Sequence, residues 1–187
     1  MRYNVPDRWR KSTTILMFKK GDKQEPSNYK GINLLDTAHK LMTKVITNKL
    51  NSIISLSDEQ QGFRSGRSCV DAVFVLRQIV EKSIEYNKPA FLCFIDLTKA
   101  FDRVRIDDIV HLLYKRDIPI NIIQTIEDIY HGTTIQARIN GNLTGDIPIH
   151  SGIRQGDSLS LKLFNIIMDE IIKKYDLATG IIWAILK

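Results

Sequence analysis

Cysteine is scarce in this 187-residue chain, and long hydrophobic runs and internal repeats are missing. Two thiols, Cys69 and Cys93, build neither a disulfide framework nor a four-ligand zinc site. No apolar run approaches the ~18 residues that cross a bilayer, and the longest, Ala90–Ile95 and Ile181–Leu186, are strand-sized. The N-terminus is basic and has no apolar core, so no secretory signal is visible. An intracellular setting is expected, nucleus and cytoplasm not distinguished, with no membrane partner. Low-complexity stretches are also lacking, and 43% hydrophobic residues exclude a disordered chain or a collagen-like fibre. The length fits one domain, or one large domain with a subdomain attached.

What is present is a basic end. Lys and Arg total 27 against 21 Asp and Glu, a net +6. Residues 1–30 hold eight basic and three acidic side chains, so that segment carries +5 and the remainder is nearly neutral. A concentrated basic stretch is expected where a polyanion docks, because phosphate contacts release counterions. A solvated basic surface is the bland alternative.

Periodicity and turn chemistry organise the rest. Thr14–Phe18 reads as a strand before a polar loop, Lys19 to Asn28. Asp36 can cap a helix through Ile54, with Leu41, Met42, Val45, Ile46, Leu50, Ile53 and Ile54 recurring at helical spacing. A loop, Ser55–Arg67, precedes a helix capped by Ser68 with Asp71 three residues on, presenting Val73, Leu76, Val80 and Ile84 on one face. Pro89–Asp96 is continuously apolar until its last residue and reads as a strand buried on both sides. Helices over Ile106–Lys115 and Asn121–Tyr130 follow. Thr133–Ile139 and Asp146–His150 flank Asn140-Gly141-Asn142, a hairpin signal. A glycine-containing loop, Ser151–Gly156, then enters a helix over Ser158–Tyr175. The order argues for an α+β fold.

Asp96 closes the most apolar run. An ionised carboxylate at the edge of a core needs a cation. Lys99 or Arg103 can pair with it, or a metal can, since Mg²⁺ sites use one or two carboxylates plus substrate phosphates. Asp102 reads as a loop-ordering carboxylate. Phe101 reads as core packing, or as a ring lying against a sugar if Asp96 holds a nucleotide's metal.

Four segments carry a resemblance. Phe94-Ile95-Asp96-Leu97-Thr98-Lys99-Ala100-Phe101-Asp102-Arg103-Val104 resembles the first catalytic motif of reverse transcriptases of non-LTR (LINE-like) retrotransposons. Asn28-Tyr29-Lys30-Gly31-Ile32-Asn33-Leu34-Leu35 is similar to the family's "NYRPISLL" segment, with Gly31 in place of Pro. Gln61-Gly62-Phe63-Arg64-Ser65-Gly66-Arg67-Ser68 is similar to its "GFR-GRS" motif. Gly152-Ile153-Arg154-Gln155-Gly156-Asp157-Ser158-Leu159 through Asn165 is similar to "G-RQG-PLSP-LFN", with Leu161 in place of Pro. The matches run in family order from about Pro6 to Tyr175. A group II intron maturase is a cousin, and the forms of the motifs lean toward LINE-like elements.

The resemblance implies part of a right-hand polymerase: residues 1–88 fingers-like, 89–175 palm-like with inserted helices, and 176–187 an unmatched tail. It implies RNA-directed DNA synthesis, in which a primer 3′-hydroxyl attacks the α-phosphate of a deoxynucleoside triphosphate and releases pyrophosphate. RNA template, DNA primer and deoxynucleotides are the implied partners, and two Mg²⁺ ions (or Mn²⁺) the implied cofactors. Asp96 matches the metal-ligating aspartate, and the Leu97 carbonyl its companion ligand. Phe101 matches the ring that excludes a ribose 2′-hydroxyl. Gln155 and Gly156 match the loop against nucleotide and template, though a plain helix-entry turn explains them too. Arg64 resembles a nucleotide-phosphate contact, and Lys19, Lys20, Arg67 and Arg154 resemble nucleic-acid contacts; solvated loop charges remain the alternative.

One family element is not found. The Tyr-Ala-Asp-Asp hairpin that supplies the other metal-binding carboxylates has no counterpart among the 187 residues. Asp107-Asp108 is the one adjacent aspartate pair, and it reads as the acidic first turn of a helix. The expectation is a partial domain, cut before that hairpin and inactive by itself, with a non-catalytic nucleic-acid-binding remnant as the alternative.

Overall fold

The computed structural model describes residues 5–92 and 94–174. Cys93, the Tyr175 end expected for the last helix and the 176–187 tail lie outside them. The described residues form one five-stranded sheet and five α-helices, an α+β arrangement. The chain divides into two compact units, each made of two stretches: Met1–Ile54 with Ala100–Phe164, and Ser55–Lys99 with Asn165–Lys187.

The first unit holds the sheet. β1 (Lys11–Phe18) starts earlier than its apolar residues indicate, and pairs antiparallel with β2 (Tyr29–Leu34) from Thr13↔Leu34 to Phe18↔Tyr29. The polar loop between them is therefore a hairpin tip. β3 (Thr134–Ile139) lies parallel to β1 on its other edge, Lys11 opposite Thr134. A hairpin forms at the expected turn, but its return strand begins at Asn142 rather than Asp146. Asn140 and Gly141 take φ of 50° and 85°, the left-handed pair a two-residue primed turn requires. They join β3 to β4 (Asn142–Leu143), and β5 (Ile147–Pro148) pairs with the start of β3.

Asp36 caps α1 (Thr37–Ile53) as expected, its carboxylate accepting the Ala38 and His39 amides. The buried stripe differs from the expected one. Ile46, Leu50 and Ile54 are buried as expected, but Leu41, Val45 and Ile53 are exposed, while His39, Thr43 and Thr47 face inward. The threonines can be buried because each hydroxyl bonds within the helix: Thr43 to the Lys40 carbonyl at 3.1 Å, Thr47 to the Thr43 carbonyl at 2.7 Å. α2 (Cys69–Glu85) belongs to the second unit. α3 (Ile106–Lys115) and α4 (Ile120–Tyr130) run where periodicity puts them. With the start of α5 (Ser158–Lys174) they supply the first unit's interior: Ile109, Leu113, Ile123, Ile126, Leu159 and Leu163 are all fully buried. Each such side chain contributes about 1.5–3 kcal/mol of burial.

In the second unit α2 begins at the expected capping box, the Ser68 and Asp71 side chains exchanging bonds with each other's backbone amides. It buries no residue: Val73, Val80 and Ile84 of its apolar face are exposed. The strand expected at Pro89–Asp96 does not form among the described residues. Among its described residues the backbone is irregular and unpaired, and Phe91, Leu92, Phe94 and Ile95 are exposed, Phe91 at 94%. A strand needs a neighbour to take its backbone hydrogen bonds, and none of the described residues offers this run one. The buried setting that made Asp96 unusual is thereby corrected: its residue is exposed.

Candidate functional site

The four motif segments occupy different places. In the first unit, Ser151–Asp157 is stitched to the turn Phe101–Arg103. The Ile153 amide donates to the Phe101 carbonyl at 3.0 Å, and the Gly152 amide to the Val104 carbonyl at 2.7 Å. The Ser151 hydroxyl reaches the Asp102 carbonyl at 3.2 Å, and Gln155 Nε2 reaches Asp102 Oδ1 at 3.4 Å. Gly152 has φ of 100°, and a Cβ there would meet the Asp102 backbone at 3.1 Å, so glycine is what permits this approach. Two segments some 50 residues apart thus form one surface, with Phe101, Gln155 and Gly156 on it. The Phe101 ring stacks on Phe164, centroids 4.7 Å apart and planes 17° apart, which fixes its orientation.

A cleft of about 180 Å³ opens beside this surface, lined by Thr14, Asn33, Asp102, Gly152, Arg154 and Gln155 among others. The buried hydroxyls of Ser12 and Thr134, which also line it, have no hydrogen-bond partner among the described residues. The cleft is smaller than the ~300 Å³ low end of ligand pockets.

Arg154, expected on nucleic acid, is buried instead, 7% exposed. Its guanidinium donates to the Trp9 carbonyl at 2.7 Å and the Ile129 carbonyl at 3.5 Å, and lies over the Tyr130 ring. Burial pulls its pKa down, against the opposing pull of Tyr130 and Asp157. Burial, followed by the Asp157 charge, pushes the Tyr130 phenol up. Lys19 and Lys20 sit exposed at the tip of the β1–β2 hairpin.

In the second unit, Arg64 and Arg67 share Asp58, at 3.5 and 3.0 Å, and Arg64 also donates to the Ser57 carbonyl at 2.8 Å. Their loop is pinned by two polar residues of α5: Asn165, which closes the Gly152–Asn165 motif, and Asp169, which motif and periodicity do not single out. Asn165 donates to the Phe63 carbonyl at 3.0 Å, and Asp169 accepts the Ser57 amide at 2.6 Å. Asp169 is fully buried and pairs with Lys173 at 2.8 Å. Burial alone would raise its pKa, but the Lys173 and Ser57 hydrogen bonds outweigh it and bring it to about 2. The available signal is a polar pair at i, i+4 flanking the apolar run Ile166–Met168.

Asp96 and Leu97 lie in the irregular segment of the second unit, both exposed, and Asp96 forms no ion pair with any described residue. No group of three or more His, Cys, Asp or Glu among the described residues could hold a metal. One carboxylate and a carbonyl do not complete a two-metal centre, whose ions stand about 3.5–4 Å apart and need several anionic ligands between them. Asp107 and Asp108 lie in the first turn of α3, as expected.

The family described as reverse transcriptase (RNA-dependent DNA polymerase) matches residues 18–185. The chain is 28% identical over 182 residues to a Retrovirus-related Pol polyprotein from type-1 retrotransposable element R2 of Popillia japonica, covering 97% of this chain and 26% of that protein. It is 27% identical over 166 residues to a probable RNA-directed DNA polymerase from transposon BS of Drosophila melanogaster, covering 86% and 18%. It is 23% identical over 170 residues to a Retrovirus-related Pol polyprotein from type-2 retrotransposable element R2DM of the same fly, covering 91% and 16%. The chain therefore spans about a quarter or less of the length of these curated relatives. Among the described residues no helix is long and apolar enough to cross a membrane.

Proposed function

This chain belongs to the reverse transcriptase family, among the polymerases of non-LTR retrotransposons, and from that premise we propose that it forms the part of an RNA-directed DNA polymerase that receives the deoxynucleotide and grips the RNA template and DNA primer. The observation that carries this reading is the stitching of Ser151–Asp157 onto Phe101–Val104. In the first unit, Gln155 and Gly156 present an amide and an unobstructed backbone to a nucleotide, and Phe101 lies against its sugar; in the second, taken by itself, Arg64 is assigned to phosphate. Lys19, Lys20 and Arg67 hold the nucleic-acid backbone, while Arg154 serves from inside by shaping the loop. Residues 1–88 are assigned to the fingers and 89–175 to the palm.

Asp96 and the Leu97 carbonyl would supply one ligand pair to Mg²⁺ or Mn²⁺. The described residues do not complete the donor set, so no chemical step is derived through the metal. A second reading is a nucleic-acid-binding piece without turnover.

The test uses a photoreactive deoxynucleoside triphosphate and an RNA–DNA duplex. A crosslink within 151–157 that is lost in Gln155→Ala is the expected result. A duplex that binds while no crosslink forms there overturns the nucleotide-receiving role. Primer extension on the RNA template with Mg²⁺ or Mn²⁺ is expected to give no product. Robust extension abolished by Asp96→Ala would show that the metal donors are complete after all.

A further inference from the structure

Phe63 is the only aromatic residue of the stretch Gln61–Ser68. Its φ is 51°, in the left-handed region where a bulky side chain is strained. Two buried side-chain amides of the second unit hold it there. Asn165 Nδ2 donates to the Phe63 carbonyl at 3.0 Å, and Gln60 Nε2 donates to the Gly62 carbonyl at 3.1 Å. Gln60 Nε2 also donates to Asn165 Oδ1 at 3.3 Å, so each amide orients the other. The peptide units on both sides of Phe63 are therefore fixed from the interior. Strain of this kind persists where the surroundings over-determine it, and it gathers at functional sites.

What the clamp displays is the ring, for Phe63 is 51% exposed. A lone exposed apolar residue is ordinary. One held in a strained conformation by two buried amides points to a use. The residues that follow supply the rest of the chemistry. Arg64–Arg67 is a tight turn, with the Arg67 amide donating to the Arg64 carbonyl at 3.3 Å and Gly66 at φ of 75°. The ends of such a turn lie within about 7 Å of each other. Both guanidinium groups reach Asp58, whose side chain is largely exposed. A phosphate arriving from solvent can take the place of that carboxylate, because the guanidinium fork matches either anion. An exposed aromatic face followed directly by two phosphate-binding cations suits an unpaired nucleotide. A duplex keeps its bases stacked on one another, so the ligand is a single strand.

We propose that Phe63 is a nucleic-acid-binding residue, a platform on which an unpaired base of the template strand stacks while Arg64 and Arg67 take phosphates of that strand. This rests on the reading above that these arginines meet nucleic acid. Stacking uses a face that every base has and leaves the 2′-hydroxyl untouched. The Phe63 contribution is therefore the same on RNA and on single-stranded DNA.

Anisotropy titrations of the 187-residue chain with a short, unstructured, fluorescently labelled RNA test the platform. Phe63→Leu keeps apolar bulk and removes the aromatic face. It is expected to weaken binding by about 5-fold or more. The slope of log K against log salt should stay where it was, because no phosphate contact is lost. Phe63→Tyr, which keeps the ring, is expected to recover the lost affinity. Arg67→Ala is the contrast, and should lower the slope by about 0.7. Phe63→Leu binding as tightly as the unaltered chain, Phe63→Tyr no better than Phe63→Leu, or a lowered slope in Phe63→Leu overturns the proposal. If Phe63→Leu does not fold, the unaltered chain still decides. RNA carrying photoreactive iodouridine is expected to crosslink to Phe63, and adducts on other residues alone overturn it. The two claims come apart cleanly. Unchanged affinity in Phe63→Leu beside weakened binding in Arg67→Ala refutes the platform and leaves the arginines on nucleic acid, whereas an unaltered chain that binds no RNA refutes both.

Discussion

Asp169 shows what one buried carboxylate does to this molecule. Its side chain is fully enclosed, and it is held ionised by Lys173 and the Ser57 amide, with a pKa of about 2 against an ordinary 3.8. Protons therefore bind the unfolded chain more readily than the folded one as pH falls. The stabilisation is complete above about pH 4 and drains away as pH drops toward 2, a loss of about 2 kcal/mol by linkage. Urea titrations between pH 2 and 7 should show that decline, and Asp169→Asn should flatten it while costing about 1–3 kcal/mol at neutral pH. The rule of an acid among apolar neighbours points to Asp96 in the sequence, yet Asp96 is exposed, and among the described residues Asp157 and Asp169 are enclosed. On a helix an acid usually faces water. The Ser57 amide, 112 residues away, is one long-range contact that makes Asp169 an interior group.

At the scale of elements, legibility tracks how local the cause is. Asp36, Ser68 with Asp71, and Asn140-Gly141 act on backbone groups within three residues, and all three form as their sequence indicates. Ser68→Ala is accordingly expected to cost α2 about 1 kcal/mol, read as local exchange in its first turn. Burial is not local. The face of α2 looks like a core face, yet Val73 and Ile84 are 59% and 76% exposed. Ile84→Lys should then change stability by no more than about 0.5 kcal/mol, whereas Leu113→Ala, at 0% exposure, should cost about 2–5 kcal/mol. Chemical denaturation of the two variants checks the contrast. The apolar run before Asp96 misleads for the same reason, because a strand is a property of a pair. The candidate site is half legible: motif spacing points to Gln155, Gly156 and Phe101, but not to the burial of Arg154, which depends on Trp9, His39 and Ile129 meeting it.

For the whole molecule the governing feature is where charge is left uncompensated. The +5 of residues 1–30 includes Lys19 and Lys20 on the hairpin tip, exposed and without an ion pair among the described residues. Arg64 and Arg67 instead share Asp58, and Arg64 also anchors its own loop through the Ser57 carbonyl. A phosphate can recruit the lysines at no structural cost, but it must compete for the arginines. Every side-chain cation that neutralises a duplex phosphate adds about 0.9 to the steepness of log K against log salt. Replacing Lys19 and Lys20 by Ala should therefore reduce the slope for an RNA–DNA duplex by up to about 1.8 and leave the unfolding midpoint in place. Arg64→Ala should weaken binding and lower that midpoint together. Anisotropy titrations from low to moderate salt, paired with urea unfolding, separate the cases. An unchanged slope in the lysine variant would reduce that tip to a solvated surface and move the duplex-binding face elsewhere on the molecule.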